Sequence, residues 1–289
     1  MQNRQRRILA ASTTRTTSYR ARNIAPGLLL SALLGLFSMA AQAAENQQAP
    51  LGWSVTTIAG AARVADFEGS RTSHTAPILG AEASYRTADY GTFGLGRQGL
   101  SWAPFDGESF QAGIAISSDA GRDEKKPSGL AGKPGSERLR GLGKVEASPM
   151  IGLFAGGDVG GIGASFSIAK ATSHHKGLTM QLGASLPIPL REDLTLTPSA
   201  SINWADSKYM GAYFGVSRQQ AARSAYRAFE AKAGVKSVDL GLALAWQLDK
   251  HWSINPAVTV SRLQGDAAAS PITERRTQTS ISAAVAYTF

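Results

Sequence analysis

The closing stretch of the chain, residues 278–289, alternates between two kinds of side chain with a period of two residues. Bulky apolar residues fall on one face and small or polar residues on the other, as in a β-strand with two different surroundings. The stretch ends on Phe289, with Tyr287 two places before it. An amphipathic closing strand with aromatic residues at the membrane interface is typical of a bacterial outer-membrane β-barrel.

The same alternation recurs along most of the chain and predicts twelve strands. They cover residues 52–63, 75–86, 89–96, 98–104, 109–118, 143–156, 159–171, 177–189, 193–206, 235–248, 251–264 and 278–289. Strands of soluble sheets usually have about five or six residues, whereas a strand that crosses a membrane needs about ten. The fold class predicted is therefore all-β, a transmembrane antiparallel up-and-down β-barrel of about 12 strands. Leaving out the hairpin at 89–104 gives the alternative of 10 strands, and a soluble β-sandwich is the competing architecture.

The connections between these strands alternate in length, as a barrel with short periplasmic turns and long outside loops requires. The periplasmic connections predicted by this register are residues 105–108, 157–158, 190–192 and 249–250. The outside connections are residues 119–141, 172–176, 207–234 and 266–277, of which three are long. Aromatic belts are expected at the strand ends, at Trp53, Trp204, Trp246 and Trp252.

The first 43 residues predict a cleaved signal peptide. Residues 1–22 contain six arginines and no acidic residue, residues 27–41 form an apolar run, and Ala41-Gln42-Ala43 provides small residues for cleavage. The apolar run is too short for a typical transmembrane helix, although a retained anchor is the alternative. The expected domains are a signal peptide over 1–43 and an outer-membrane β-barrel over 44–289.

Charge and composition exclude several classes of function. The chain has 30 basic and 21 acidic residues, a net charge of +9, but six of the basic residues lie in the leader. The remainder therefore carries only +3, so the high isoelectric point is no evidence for nucleic-acid binding. The chain contains no cysteine, which excludes disulfides and thiolate chemistry.

The four histidines do not predict an active site. His74, His174 and His175 are expected in solvated outside loops, and His251 is expected at the periplasmic interface. None has a nucleophile or acid partner in a recognisable arrangement. We therefore expect no catalytic, cofactor-binding or metal-binding residues, no cofactor, and no enzymatic activity.

The inward faces of the predicted strands are rich in small and polar residues. The best candidates for charges in the lumen are Lys144, Glu146 and Asp239. In the long connection 207–234, Ser217 and Gln220 fit a capping box and predict a short helix over residues 217–225. This connection could be a lid that constricts the lumen, or an ordered loop that only seals the barrel.

Several stretches resemble one family of outer-membrane proteins. The stretch WADSKYM at 204–210, the residues 213–216 and 220–224 that follow it, and residues 140–143, 236–241 and 261–272 are similar to the MltA-interacting protein (MipA)/OmpV family. The resemblance implies a barrel without catalytic residues. For some members it also implies a scaffold that joins a murein-degrading lytic transglycosylase to a murein synthase, whereas others are described as porin-like.

The function expected is therefore that of a non-catalytic scaffold for peptidoglycan-remodelling enzymes, with a small porin-like diffusion channel as the alternative. The resemblance implies a periplasmic murein hydrolase and a murein synthase as partners. A barrel also implies outer-membrane lipid and the barrel-assembly machinery, which recognises C-terminal strands like residues 278–289. The predicted location is the outer membrane of a Gram-negative bacterium, with no nucleic acid as a partner.

Overall fold

The computed structural model describes residues 51–127 and 133–289, so the predicted signal peptide lies outside the described residues. Long strands dominate this part of the chain. They are β1 (Gly52–Ala65), β2 (Ser73–Arg86), β3 (Thr92–Gly96), β4 (Gly99–Asp106), β5 (Phe110–Asp119), β6 (Ser148–Val159), β7 (Ile162–Ala171), β8 (Leu178–Ser185), β9 (Ile188–Arg191), β10 (Leu194–Ala205), β11 (Gly234–Gln247), β12 (Trp252–Leu263) and β13 (Thr277–Thr288).

Three short α-helices lie in the connections: α1 (Ser207–Phe214), α2 (Arg218–Ala221) and α3 (Gly265–Ala269). A 3-10 turn covers Glu137–Leu139. Across 51–127 and 133–289, no helix has both the length and the apolar character needed to cross a membrane.

The strands form one closed antiparallel sheet. Apart from β8 and β9, strands that are consecutive in sequence pair with each other, and β1 also pairs with β13, from Thr56 opposite Thr288 to Arg63 opposite Ile281. The segments β8 and β9 both pair with β10, so they are two halves of one interrupted barrel strand. The barrel therefore has twelve strands, as predicted, and the ten-strand alternative is wrong because β3 and β4 are paired members of the wall.

The two faces of the wall differ as the sequence pattern predicts. Small and polar residues that point into the barrel are buried, among them Thr56, Ala62, Thr197, Ala243, Ala257, Thr259, Ser282, Ala284 and Ala286. Large apolar residues on the opposite face are exposed, among them Leu79, Phe93, Leu95, Ile114, Ile116, Ile151, Leu153, Phe166, Leu182, Ile202, Leu240, Val260, Ile281 and Val285. An exposed apolar band around a closed barrel is the surface that a bilayer covers.

One predicted turn lies entirely within a strand, and the predicted turns 105–108 and 190–192 overlap the ends of β4 and β9. The strand expected over 143–156 instead begins at Ser148 and continues to Val159, so residues 157–158 belong to β6 rather than to a turn. The chain reverses at Gly160 and Gly161, which have φ angles of 65° and 86°. Two consecutive positive φ angles define a two-residue hairpin turn that glycine adopts without steric cost.

We expect Gly60→Ala to weaken the contact between β1 and β13 that closes the barrel. A Cβ at this position would lie 2.2 Å from the carbonyl oxygen of Ala283, so the two backbones would have to separate. Overpacking of this kind costs about 1–3 kcal/mol. The temperature at which the folded barrel loses its compact mobility in semi-native electrophoresis should fall. The control Ala59→Leu, on the exposed face of the same strand, should leave it nearly unchanged, and equal behaviour of the two variants would contradict the prediction.

Candidate functional site

Four long connections cover the outer mouth of the barrel and pack into one structure, which we call the lid. The lid consists of residues 66–72, the described parts of 120–147, residues 206–233 and residues 264–276. Each connection contributes to one buried apolar cluster, formed by Phe67, Leu139, Leu142, Val216 and Ile272. Because these side chains come from four different loops, the lid has a small hydrophobic core of its own.

Helix α1 anchors the lid to the barrel rim. The Asp206 carboxylate caps the helix by accepting the Tyr209 backbone N–H at 2.8 Å. Met210 and Phe214 are fully buried, and they pack against Ala267 of α3 in a second apolar cluster. The helix thus fills the space between the rim and the neighbouring loop.

Polar contacts also join the loops of the lid. The Gly135 N–H donates to the Asp66 carbonyl at 2.6 Å, which links the second loop to the first. Arg138 forms an ion pair with Glu274, with 2.6 Å between Nη1 and Oε1. The Ser270 hydroxyl donates to the Phe214 carbonyl at 2.6 Å. Each contact crosses between loops, so the lid is held as a unit.

The capping box predicted at Ser217 and Gln220 is present, with both reciprocal hydrogen bonds formed. The helix that it starts, α2, is shorter than predicted and ends at Ala221. Sequence reasoning missed α1 and α3. The signal for α1 was available, because Asp206 is a favoured N-cap residue three positions before the Tyr209 N–H that it binds.

A polar and aromatic cluster lies directly beneath the lid. His175 is buried, with only 3% of its side chain exposed, and its Nε2 is 3.3 Å from the Asp119 carboxylate. That approach lacks hydrogen-bond alignment, whereas the Tyr213 hydroxyl does donate a hydrogen bond to Asp119. The Tyr209 and Tyr213 rings stack 4.5 Å apart, and both meet the His175 ring edge-on. The expectation of a solvated His175 is therefore wrong, because α1 covers it.

A bulge in the wall brings a lysine into this cluster. The register of β10 and β11 shifts between Val235 and Ser237, and Lys236 is the extra residue. A bulge reverses the direction in which a side chain points, so Lys236 is buried rather than directed to lipid. Its ammonium group is 2.5 Å from the Glu68 carboxylate and 5.3 Å from the centre of the Tyr209 ring.

A buried arginine completes the cluster. Arg122 is 4% exposed, donates from Nη1 to the Tyr213 carbonyl, and lies over the Tyr213 ring. Burial lowers the pKa of Arg122, while nearby tyrosines and Glu68 act in the opposite direction. Burial, together with the charges of Glu68 and Asp119, raises the pKa of Tyr209 well above its usual value. Tyr209 is therefore neutral, and the cluster joins the lid to the wall.

The charges in the lumen differ from those predicted. Asp239 does point inward, where it accepts hydrogen bonds from Asn203 at 2.7 Å and Ser261 at 2.5 Å. Lys144 and Glu146 do not, because β6 begins only at Ser148. Both lie in the second loop of the lid, Lys144 beside Asp123 and Glu146 beside Lys133.

Sequence reasoning missed an ion pair in the periplasmic half of the lumen. Arg86 of β2 lies 3.3 Å from Asp106 of β4, and both side chains are largely buried. Thr92 donates a further hydrogen bond to Asp106 at 2.5 Å. Arg86 lies on the face of β2 opposite to its exposed apolar residues. The two-residue alternation of the sequence alone would therefore have predicted that Arg86 points into the lumen.

The other histidines have structural contacts. His74 lies at the start of β2, with its Nδ1 2.9 Å from the Asp66 carboxylate, rather than in a loop. His174 lies in the exposed turn between β7 and β8, and His251 stacks on Tyr287 at the periplasmic end, as expected. Within the two described stretches, no group of three or more His, Asp or Glu side chains could hold a metal ion.

Comparisons with known proteins agree with this architecture. The family model described as MltA-interacting protein MipA matches residues 58–289. The outer membrane protein Omp26La of Vibrio anguillarum is 38% identical over 96 residues, which are 32% of this chain and 36% of that protein. OmpV of Vibrio cholerae is 36% identical over 96 residues, with the same coverage. The matched region thus spans about a third of each of these relatives.

Solved structures with a similar chain path include the KdgM porin, at 10% identity and a TM-score of 0.40, covering 82% of this chain and 99% of that one. The translocator domain of the autotransporter NalP from Neisseria meningitidis has 10% identity and a TM-score of 0.39, covering 83% of this chain and 89% of that domain.

The closed wall, its exposed apolar band and the outer-membrane relatives place this protein in the outer membrane of a Gram-negative bacterium. Because the family model covers nearly the whole barrel, from within β1 to the last residue, the chain belongs to the MltA-interacting protein MipA family.

Proposed function

We propose that this protein is a non-catalytic outer-membrane anchor that binds peptidoglycan-remodelling enzymes, a lytic transglycosylase and a murein synthase, at its periplasmic end. The observation that carries the proposal is membership of a family described by its interaction with MltA. The non-catalytic part rests on relatives that bear the names of outer-membrane proteins rather than of enzymes.

The lid supports an anchoring role over free diffusion. Its core is buried, and ion pairs and hydrogen bonds join its four loops. The connection 207–234 is therefore part of a larger closure of the outer mouth rather than a single constricting loop. Because the lid covers the outer mouth, we infer that partners bind at the periplasmic end.

The periplasmic turns present a mainly acidic surface. Exposed acidic residues at this end are Asp89, Glu108, Asp158, Glu192 and Asp249, against the basic residues Arg191 and Lys250. Short turns offer little area for shape recognition, but a ring of like charge attracts a basic partner and steers its approach. We infer that the enzymes bound here dock through a basic surface.

Neutralising this surface should weaken partner capture. In intact cells, we expect chemical crosslinking to the wild-type barrel to enrich a lytic transglycosylase and a murein synthase over a barrel of equal abundance from another family. The variant D89N/E108Q/E192Q changes three exposed acids whose carboxylates form no hydrogen bond or ion pair with the residues that the structure describes, and it should reduce this enrichment severalfold.

The matched control is E137Q/E146Q/E230Q, which removes three exposed acids from the outside end. It should capture partners as the wild type does. Recovery of only lipid-export and barrel-assembly proteins with the wild type would refute the anchoring role, whereas equal loss in both triple variants would refute only the docking surface.

A small diffusion channel is the second candidate, and the lumen provides an observation in its favour. Inward hydroxyls of Ser185, Thr197, Ser199, Thr259 and Ser282 are buried without a hydrogen-bond partner among the described residues. Buried hydroxyls are normally satisfied by protein or by water. In a narrow lumen lined with small residues, water would bind these hydroxyls. A lumen filled with water would conduct ions once its outer mouth opened.

Loosening the lid tests this alternative. Met210→Ala removes a fully buried side chain from the lid, which costs about 2–5 kcal/mol of packing. If the barrel is an anchor with a closed lumen, single-channel conductance in planar bilayers should stay at the background level in the wild type and in the variant.

Conductance that appears only with Met210→Ala would identify a gated channel, and conductance of the wild type would identify an open one. Leu240→Ala truncates a side chain of similar size that is exposed on the outer wall. This control separates opening of the lid from general damage to the barrel. Limited proteolysis within 207–234 verifies that the lid has loosened.

A further inference from the structure

We propose that Arg63 and Arg262 form a binding site on the outer wall for the phosphate groups of a phosphorylated glycolipid of the outer leaflet. Arg63 lies at the outer end of β1 and Arg262 at the outer end of β12, and β13 runs between them. Both residues are exposed and both belong to the face that carries the apolar band.

The height of the two arginines matches that of lipid headgroups. Each lies ten residues from an exposed tryptophan at the periplasmic end of its own strand, Trp53 for Arg63 and Trp252 for Arg262. Ten residues extend about 33 Å along a strand. In a barrel with strands tilted by about 40°, this corresponds to about 25 Å across the membrane, the height of a typical apolar band. Both guanidinium groups therefore lie at the outer boundary of the hydrocarbon.

The pairing registers place the arginines on one continuous patch. Arg63 is opposite Ile281 of β13, and Arg262 is opposite Thr277 of the same strand. Thr279 lies between these two positions on β13, and it faces outward and is exposed, as is Thr277. Two guanidinium groups that flank two hydroxyls provide several donors for phosphate oxygens, and arginine binds phosphate in a bidentate manner.

Neither arginine is neutralised by the protein. Among residues 51–127 and 133–289, no carboxylate forms an ion pair with Arg63 or Arg262, and neither guanidinium group donates a hydrogen bond. Glu274, three residues before Thr277 in the sequence, forms ion pairs with Arg71 and Arg138. Two cations at the edge of an apolar surface, without internal partners, are complementary to an external anion.

The surface beside the arginines decides which anion fits. Beside and below them on the same wall lie the exposed apolar residues Val260, Ile281 and Val285. A ligand that contacts both parts must carry phosphate at the headgroup level and acyl chains beneath it. This composition describes a phosphorylated glycolipid rather than a free phosphate ion.

The opposite wall provides a comparison. Lys170 is also an exposed basic residue at the outer end of a strand, β7, but its paired neighbours are Ile151 and Leu178. Neither paired neighbour of Lys170 thus provides a cation or a hydroxyl. If the barrel attracted anionic lipid only through its general charge, Lys170 would contribute as much as either arginine. A specific site formed by Arg63 and Arg262 would not depend on Lys170.

The test is the binding of defined lipids to the full-length mature barrel in detergent, measured by native mass spectrometry. The probes are a bis-phosphorylated hexa-acyl glycolipid, the same glycolipid without phosphates, and inorganic phosphate. The wild type should bind the phosphorylated glycolipid at least tenfold more tightly than the dephosphorylated one. The variant R63Q/R262Q should lose this preference, while K170Q/K208Q, which removes two other exposed charges, should keep it.

Three results would overturn the proposal. They are an unchanged preference in R63Q/R262Q, an equal loss in K170Q/K208Q, and binding of inorganic phosphate at the arginines as tight as that of the glycolipid. Heat-dependent mobility in electrophoresis verifies that each variant is a folded barrel. The partner-capture experiment does not involve these residues, so its outcome leaves the lipid site untouched.

Discussion

Backbone pairing between the first and the last strand is the constraint on which the rest of the structure depends. In a bilayer every N–H and C=O group of the wall must find a partner within the protein, and only a closed sheet leaves no edge unpaired. Here β1 and β13 close the ring, supported by a hydrogen bond of 2.9 Å between the hydroxyls of Thr56 and Thr288. Small inward residues such as Ala284 allow the two strands to approach closely.

The alternation of residue types predicted the strands of the wall well. Residues that face lipid must be apolar, whereas the alternate residues that face a tight lumen must be small or polar. The twelve strands and the outward faces followed from this alternation. Turn positions were less well defined, since the alternation of β6 continues weakly through Gly156 and Gly157 before the reversal at Gly160. The break between β8 and β9 also escaped prediction. Opposite that break lies Pro198 of β10, which lacks the N–H that an unbroken neighbour would require.

The site beneath the lid could be predicted only in part, because its residues meet through tertiary contacts that no local pattern contains. The capping box at Ser217 is local and was predicted correctly. His175 lies in a polar turn, and only α1, which begins 32 residues later in the chain, makes it buried. Lys236 would face lipid by parity, and a one-residue bulge turns it inward to Glu68. Lys144 and Glu146 were misplaced because β6 starts later than its alternation suggested.

The core of the lid contains a residue from near the start of the barrel, Phe67, and one from near its end, Ile272. The two loops that carry them flank the β1–β13 contact, so they come together only after the last strand has joined the first. The lid must therefore form after the wall. A barrel whose first and last strands have not yet paired cannot bring Phe67 and Ile272 together in the core of the lid. A completely folded lid on the cell surface is therefore present only on barrels in which β1 and β13 have paired.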